Sequence, residues 1–165
     1  MFEGITRDPY LIENSSYKRL KDEYLKYGTL IIAFDFDSTV YDYHKKGDTF
    51  NNVINLLRKL KDYAYLIVFT NSPPERYPEI EEYLNNNDIP YNAINKDAPF
   101  IKENGRKIYY NALLDDRAGL LQVYNELTRL YNEVIVPKKE NHPVLAKELI
   151  GGHNGQDSHN IWYTW

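Results

Sequence analysis

Two aspartates separated by one residue close an apolar run, Leu30-Ile31-Ile32-Ala33-Phe34-Asp35-Phe36-Asp37-Ser38-Thr39-Val40. Such a run reads as a buried strand, and carboxylates where a buried strand surfaces suit chemistry better than packing. Strand side chains alternate faces, so Asp35 and Asp37 share a side if the strand continues. The polar segment that follows instead places Asp37 on a turn just past the strand end, facing Asp35. Like charges held that close require a cation or a shared proton.

Two further apolar runs end in polar residues: residues 65–69 lead into Thr70-Asn71-Ser72, and residues 108–114 into Asp115-Asp116-Arg117. The segments between them have helical spacing. Tyr17, Leu20, Tyr24 and Tyr27 mark a helix over residues 15–27, behind a Ser cap and ended by Gly28. Phe50, Val53, Ile54, Leu57 and Leu60 mark a second helix from Asp48. Pro73-Pro74 opens an acidic helix over 75–86, and residues 91–94 form a short strand. Leu120, Leu121, Tyr124, Leu127 and Tyr131 define a further helix, followed by a strand at 134–136 and a helix over 143–150. The His44-Lys45-Lys46 knot belongs to a solvated loop over residues 41–47.

Buried strands alternating with helices predict an α/β fold, a doubly wound parallel sheet in three layers. Ligands in such sheets bind beyond the carboxyl ends of the strands, near the point where strand order reverses. Asp35 and Asp37, Thr70 to Ser72, and Asp115 and Asp116 therefore converge on one crevice. Four carboxylates there make an oxygen-rich site for a hard cation, best Mg2+, which keeps waters for a substrate phosphate. The chemistry is metal-assisted phosphoryl transfer with a carboxylate as nucleophile or base.

Bulk properties bound the rest. The 165 residues, 42% hydrophobic and 27% charged, predict one domain over residues 1–150 and a tail over 151–165. No run has the length of a membrane span, and Met1-Phe2-Glu3-Gly4 does not resemble a secretion signal. The absence of cysteine excludes disulfides and thiol catalysis and fits a cytoplasmic protein. A net charge of -4 gives no bulk attraction for polyanions, so nucleic acid enters only as a substrate held by local Lys, Arg or metal. The 16 tyrosines are expected to fill the core margin. His142, His153 and His159 fit no common metal-ligand spacing. The aromatic end, Ile161-Trp162-Tyr163-Thr164-Trp165, is expected to dock on its own domain or to join copies into a homo-oligomer.

Asp35-Phe36-Asp37-Ser38-Thr39-Val40, Thr70 at a second strand end, a lysine, and Leu113-Leu114-Asp115-Asp116 resemble, in order, the four motifs of the haloacid dehalogenase (HAD) superfamily. The resemblance spans roughly residues 30 to 135 and implies a Rossmann-like core. It implies an aspartyl-phosphate on Asp35, with Asp37 as general acid and base. Thr70 would bond the phosphoryl group, helped by Asn71 or Ser72. Asp115 and Asp116, with Asp35 and the Asp37 carbonyl, would hold Mg2+, and a lysine would balance charge.

Lys96 follows a strand candidate at the correct edge. Lys107 lies eight positions before Asp115, at the far end of a strand over 108–114 and some 20 Å away. Lys96 is favoured, with Lys107 retained and Lys102 third. The intervals around Thr70 leave no room for a sizeable cap domain, which resembles the small phosphatases of the superfamily. Asp115-Asp116-Arg117 also resembles the 3'-phosphatase domain of polynucleotide kinases, and Arg76 and Arg117 are candidate phosphate contacts. The competing reading is a non-catalytic metal- or protein-binding module on the same scaffold.

Overall fold

The computed structural model describes residues 8–102 and 105–141. Its centre is a four-stranded, all-parallel sheet: β1 (Leu30–Phe34), β2 (Ala64–Val68), β3 (Ala93–Ile94) and β4 (Ala112–Leu114), in the order β3-β2-β1-β4. All five residues of β1 are buried, as a central strand covered on both faces requires. Phe34 lies opposite Val68 on one side and Leu114 on the other. The residues that follow β1, β2 and β4 therefore emerge side by side. The chain winds outward from β1 through β2 to β3, then returns to lay β4 against the free side of β1. Strand order thus reverses between β1 and β4, where parallel α/β sheets open a crevice.

Helix α1 (Ser15–Tyr27) ends where Gly28, at φ 74°, donates its N–H to the Tyr24 carbonyl. Its start differs from expectation. Asn14 in the left-handed region occupies the N-cap without a side-chain bond, and Ser16 instead donates its hydroxyl to Glu126. Helix α2 (Asn51–Leu60) buries Val53, Ile54, Leu56, Leu57 and Leu60. A 3-10 turn (Pro74–Arg76) leads into α3 (Tyr77–Asn86), which buries Ile80 and Leu84. In α4 (Leu120–Leu130) Leu120, Tyr124 and Leu127 of the expected stripe face the core, but Leu121 is 74% exposed and Val123 packs on the core in its place.

The strand expected at 134–136 is not present. The chain continues from α4 through a π-helical turn (Tyr131–Ile135) into α5 (Val136–Asn141). Leu127, Leu130 and Val134 share one helical face and are all buried, so packing overrides the β preference of Val-Ile-Val. The last strand is also shorter than residues 108–114. Asn111 meets β1 through both its backbone and its side chain, while upstream the Tyr109 N–H turns to the Asp97 carboxylate.

The layers differ from a helical sandwich. Leu30, Ile32 and Phe34 pack in one cluster with residues of α1, α2, α3 and α4. Ile31 and Ile67 are covered by Ala98, Ile101, Ile108, Tyr109 and Tyr110 from the connection between β3 and β4. Among its described residues that connection has no helix, because Pro99 and the loss of a 3.6-residue period deny it one. Tyrosines line both clusters, with Tyr17 and Tyr24 buried and others partly so.

No helix among the described residues is long and apolar enough to cross a membrane. The helix expected at 143–150, the aromatic tail over 151–165, and His142, His153 and His159 lie outside the described residues.

Candidate active site

Three strand ends build the crevice. The Asp35 N–H donates to the Leu114 carbonyl at 2.8 Å, extending the β1–β4 ladder by one bond and bringing Asp35 beside Asp115. The Phe69 N–H donates to the Phe34 carbonyl at 2.8 Å and carries Thr70 to the same edge. Beyond β4, Asp115 accepts the Arg117 N–H at 2.8 Å in a tight turn. Gly119, at φ +74°, then swings the chain into α4, and the backbone angle itself calls for glycine, since a Cβ there would meet nothing.

One carboxylate oxygen each from Asp35, Asp115 and Asp116 lies within 4.8 Å of the others. The arginine ion pairs of the structure go to Asp37, Glu79, Glu23 and Glu133 rather than to these three. Burial, together with the charges of Asp115, Asp116 and Asp37, pushes the Asp35 carboxyl up to about 6, against a backbone hydrogen bond from Phe36 that lowers it. Three hard oxygen donors that repel one another form a group that could hold a metal ion.

Asp37 lies past the strand, as expected; its carboxylate pairs with Arg76 and is outside the group of three close enough to share an ion. Ser38 at φ 62° turns the chain, and the N–H groups of Val40 and Tyr41 converge on the Phe36 carbonyl at 3.1 and 3.0 Å. Asp37 then takes both arms of the Arg76 guanidinium, Nη1 to Oδ2 at 2.9 Å and Nη2 to Oδ1 at 3.0 Å. Asp37 thus finds an opposite charge in Arg76, while Asp35 stays among the like charges of Asp115 and Asp116, with Asp37 adding to them. The same turn buries Thr39 completely, and its hydroxyl accepts the Asp116 N–H at 3.2 Å, joining the turn after β1 to the turn after β4.

Thr70 is buried, and its Oγ1 accepts the Ser72 N–H at 3.1 Å. A hydroxyl that accepts in this way still has its proton to donate. Asn95 clamps the position, with Oδ1 accepting the Thr70 N–H at 2.9 Å and Nδ2 donating to the Thr70 carbonyl at 2.6 Å. The Ser72 hydroxyl accepts from Arg76 at 2.9 Å, while Asn71 and Arg117 are exposed beside the crevice. Lys96 is exposed just beyond β3, an edge strand separated from β1 by β2. Lys107 is exposed in the helix-free connection, and the strand that set its distance from the site begins only at Ala112. Neither lysine forms an ion pair with the three carboxylates.

Sequence reasoning missed the roles of Thr39 and Asn95. An Asn just after a strand, at φ 46°, is a turn former that tolerates the left-handed region, and that was the signal available for Asn95. Thr39 sits inside a recognised motif, but its bond crosses 77 positions of chain and leaves no local mark.

No family model matches the chain, and no curated protein matches it. A solved structure, described as that of a conserved protein from Bacteroides thetaiotaomicron, is similar to it with a TM-score of 0.52 and 24% identity. The similarity covers 64% of this chain and 91% of that one. At that identity the likeness shows a shared fold alone: a parallel α/β sheet of Rossmann-like type.

Proposed function

We propose that this protein is a HAD-like, Mg2+-dependent phosphohydrolase of the cytoplasm, acting on a phosphomonoester through an aspartyl-phosphate on Asp35. The observation that carries the reading is the meeting of Asp35, Asp115 and Asp116 at the point where strand order reverses, with the Thr70 hydroxyl on the adjacent strand end.

Asp35, Asp115 and Asp116 would hold the ion. Bound there, Mg2+ supplies charge neutralisation for an anionic phosphate approaching an anionic nucleophile. An oxygen of Asp35 attacks phosphorus, and the bond from phosphorus to the leaving-group oxygen breaks. Asp37 in its protonated form gives its proton to that oxygen, and as a carboxylate it then takes one from the water whose oxygen bonds to phosphorus as the bond from phosphorus to Asp35 breaks. Thr70 donates its hydroxyl proton to a phosphoryl oxygen, and Asn95 keeps it in place.

Exposed Tyr43, His44, Lys45 and Lys46 follow Asp37 in the chain and favour an anionic leaving group that carries a ring. A nucleotide or a phosphorylated nucleic-acid end is therefore the first substrate class to test. The experiment is hydrolysis of an aryl phosphate and of 3'- and 5'-phosphorylated oligonucleotides, with Mg2+ and with chelator. Mg2+-dependent release of phosphate is expected; no turnover at high protein concentration would favour a non-catalytic module.

A further inference from the structure

Arg76 is, by its place after the second strand, a candidate contact for substrate phosphate. We infer instead that Arg76 is the positioning residue for Asp37, holding the proton-transferring carboxylate away from the cation site. The inference rests on the hydrolase reading above.

Three observations carry it. First, the fork is already used. Nη1 and Nη2 each bond one Asp37 oxygen, and Nη1 also donates to the Ser72 hydroxyl at 2.9 Å. An arginine kept for an incoming phosphate would present its paired donors to the crevice. Second, the guanidinium is held on a rigid block. It lies 5.7 Å from the Phe36 ring centre, 5.9 Å from Tyr41 and 5.8 Å from Tyr43. Phe36 is buried and stacks on Tyr41 at 5.0 Å, and Tyr83 meets both rings edge-on. Arg76 and Asp37 are only 23% and 28% exposed, so water competes weakly for the pair.

Third, the carboxylate group close enough to share one ion contains Asp35, Asp115 and Asp116 and leaves out Asp37, two residues from Asp35. A free carboxylate next to three others around a divalent ion would be drawn onto that ion. Arg76 gives it a competing cation in a fixed direction. Asp37 is thereby kept for proton transfer while the ion keeps room for substrate and water.

The test is a double-mutant cycle on Arg76 and Asp37 with an aryl phosphate, joined to calorimetric titration of Mg2+. Arg76→Ala is expected to lower kcat about 10-fold or more with KM changed less than about twofold, the pattern of a lost proton-transfer geometry. In an Asp37→Ala background the same change is expected to lower kcat by less than about twofold. Arg76→Lys keeps the charge but cannot make the bidentate fork, so it recovers only part of kcat. Arg76→Ala, which removes the competing cation, binds Mg2+ more tightly than wild type because Asp37 is released toward the ion, and Arg76→Lys falls between the two.

A rise in KM with kcat intact, or independent effects in the cycle, would overturn the inference while leaving the hydrolase reading in place. Absence of Mg2+-dependent turnover in the wild-type protein overturns both.

Discussion

The two ends of the central strands use the same polar chemistry to opposite ends. At the amino end, Asn111 is buried and its side-chain oxygen accepts the Ile31 N–H at 2.6 Å, while its amide donates to Glu23 and to the Tyr109 hydroxyl. Arg19 closes the ring by pairing with Glu23 at 2.9 Å and donating to the Asn111 carbonyl. Charges and dipoles there are matched within the protein, and the result is attachment of α1 to the sheet. At the carboxyl end, Asp35, Asp115 and Asp116 face one another. A folded chain that satisfies its polar groups at one edge and crowds like charges at the other separates the edge that stabilises the fold from the edge proposed as the site.

Substitutions should separate the two edges. The largest effect is expected for Asp35→Asn, which removes the proposed nucleophile: hydrolysis of an aryl phosphate should fall at least about 1000-fold. The amino edge answers differently. Asn111→Ala should lower unfolding free energy by about 2–3 kcal/mol, read by urea melts, because Ile31 and Glu23 lose a buried partner. Its kcat and KM should stay at wild-type values. Thr39→Val, which deletes the bond to Asp116 and keeps the side-chain shape, should weaken Mg2+ binding about 10-fold by calorimetry.

The smallest effect sharpens the contrast most. Asp35 titrates near 6 in the folded protein against 3.8 as its ordinary value, so the charged form disfavours folding. The stabilisation that accompanies a neutral Asp35 is complete below about 3.8 and lost as pH rises through about 6. In cation-free protein at pH 7.5, Asp35→Asn should therefore be more stable than wild type by on the order of 1 kcal/mol, after allowing for solvent screening. The gain should shrink as pH is lowered from 6 toward 4. Saturating Mg2+ should raise the melting temperature of wild type more than that of the variant.

How much of this could be read from the sequence follows from the range of the forces involved. Buried strands and their polar ends were legible because a continuous apolar run and an abrupt carboxylate are local signals. Helix α1 was legible to its last residue because Gly28 is a local stop. The 134–136 region was misread because Val-Ile-Val carries a β preference, while the burial of Leu127, Leu130 and Val134 on one face decides the outcome.

The site divided the same way. The meeting of Asp35 with Asp115 and Asp116 was predictable from strand ends alone. The direction of Asp37 was not, since it depends on Arg76, which lies 39 positions away on a turn after another strand. Asn95 holds Thr70 across 25 positions for the same reason. Topology could be inferred from pattern; side-chain pairing across strands required the fold.

The most direct test of the central claim is a crystal structure of the protein grown with Mg2+ and beryllium fluoride, a mimic of the phosphoryl group on a carboxylate. The account predicts a beryllium on Asp35, a Mg2+ held by Asp35 with Asp115 and Asp116, and Asp37 still paired with Arg76. A crevice that binds neither, or a Mg2+ bound away from these three carboxylates, would contradict it.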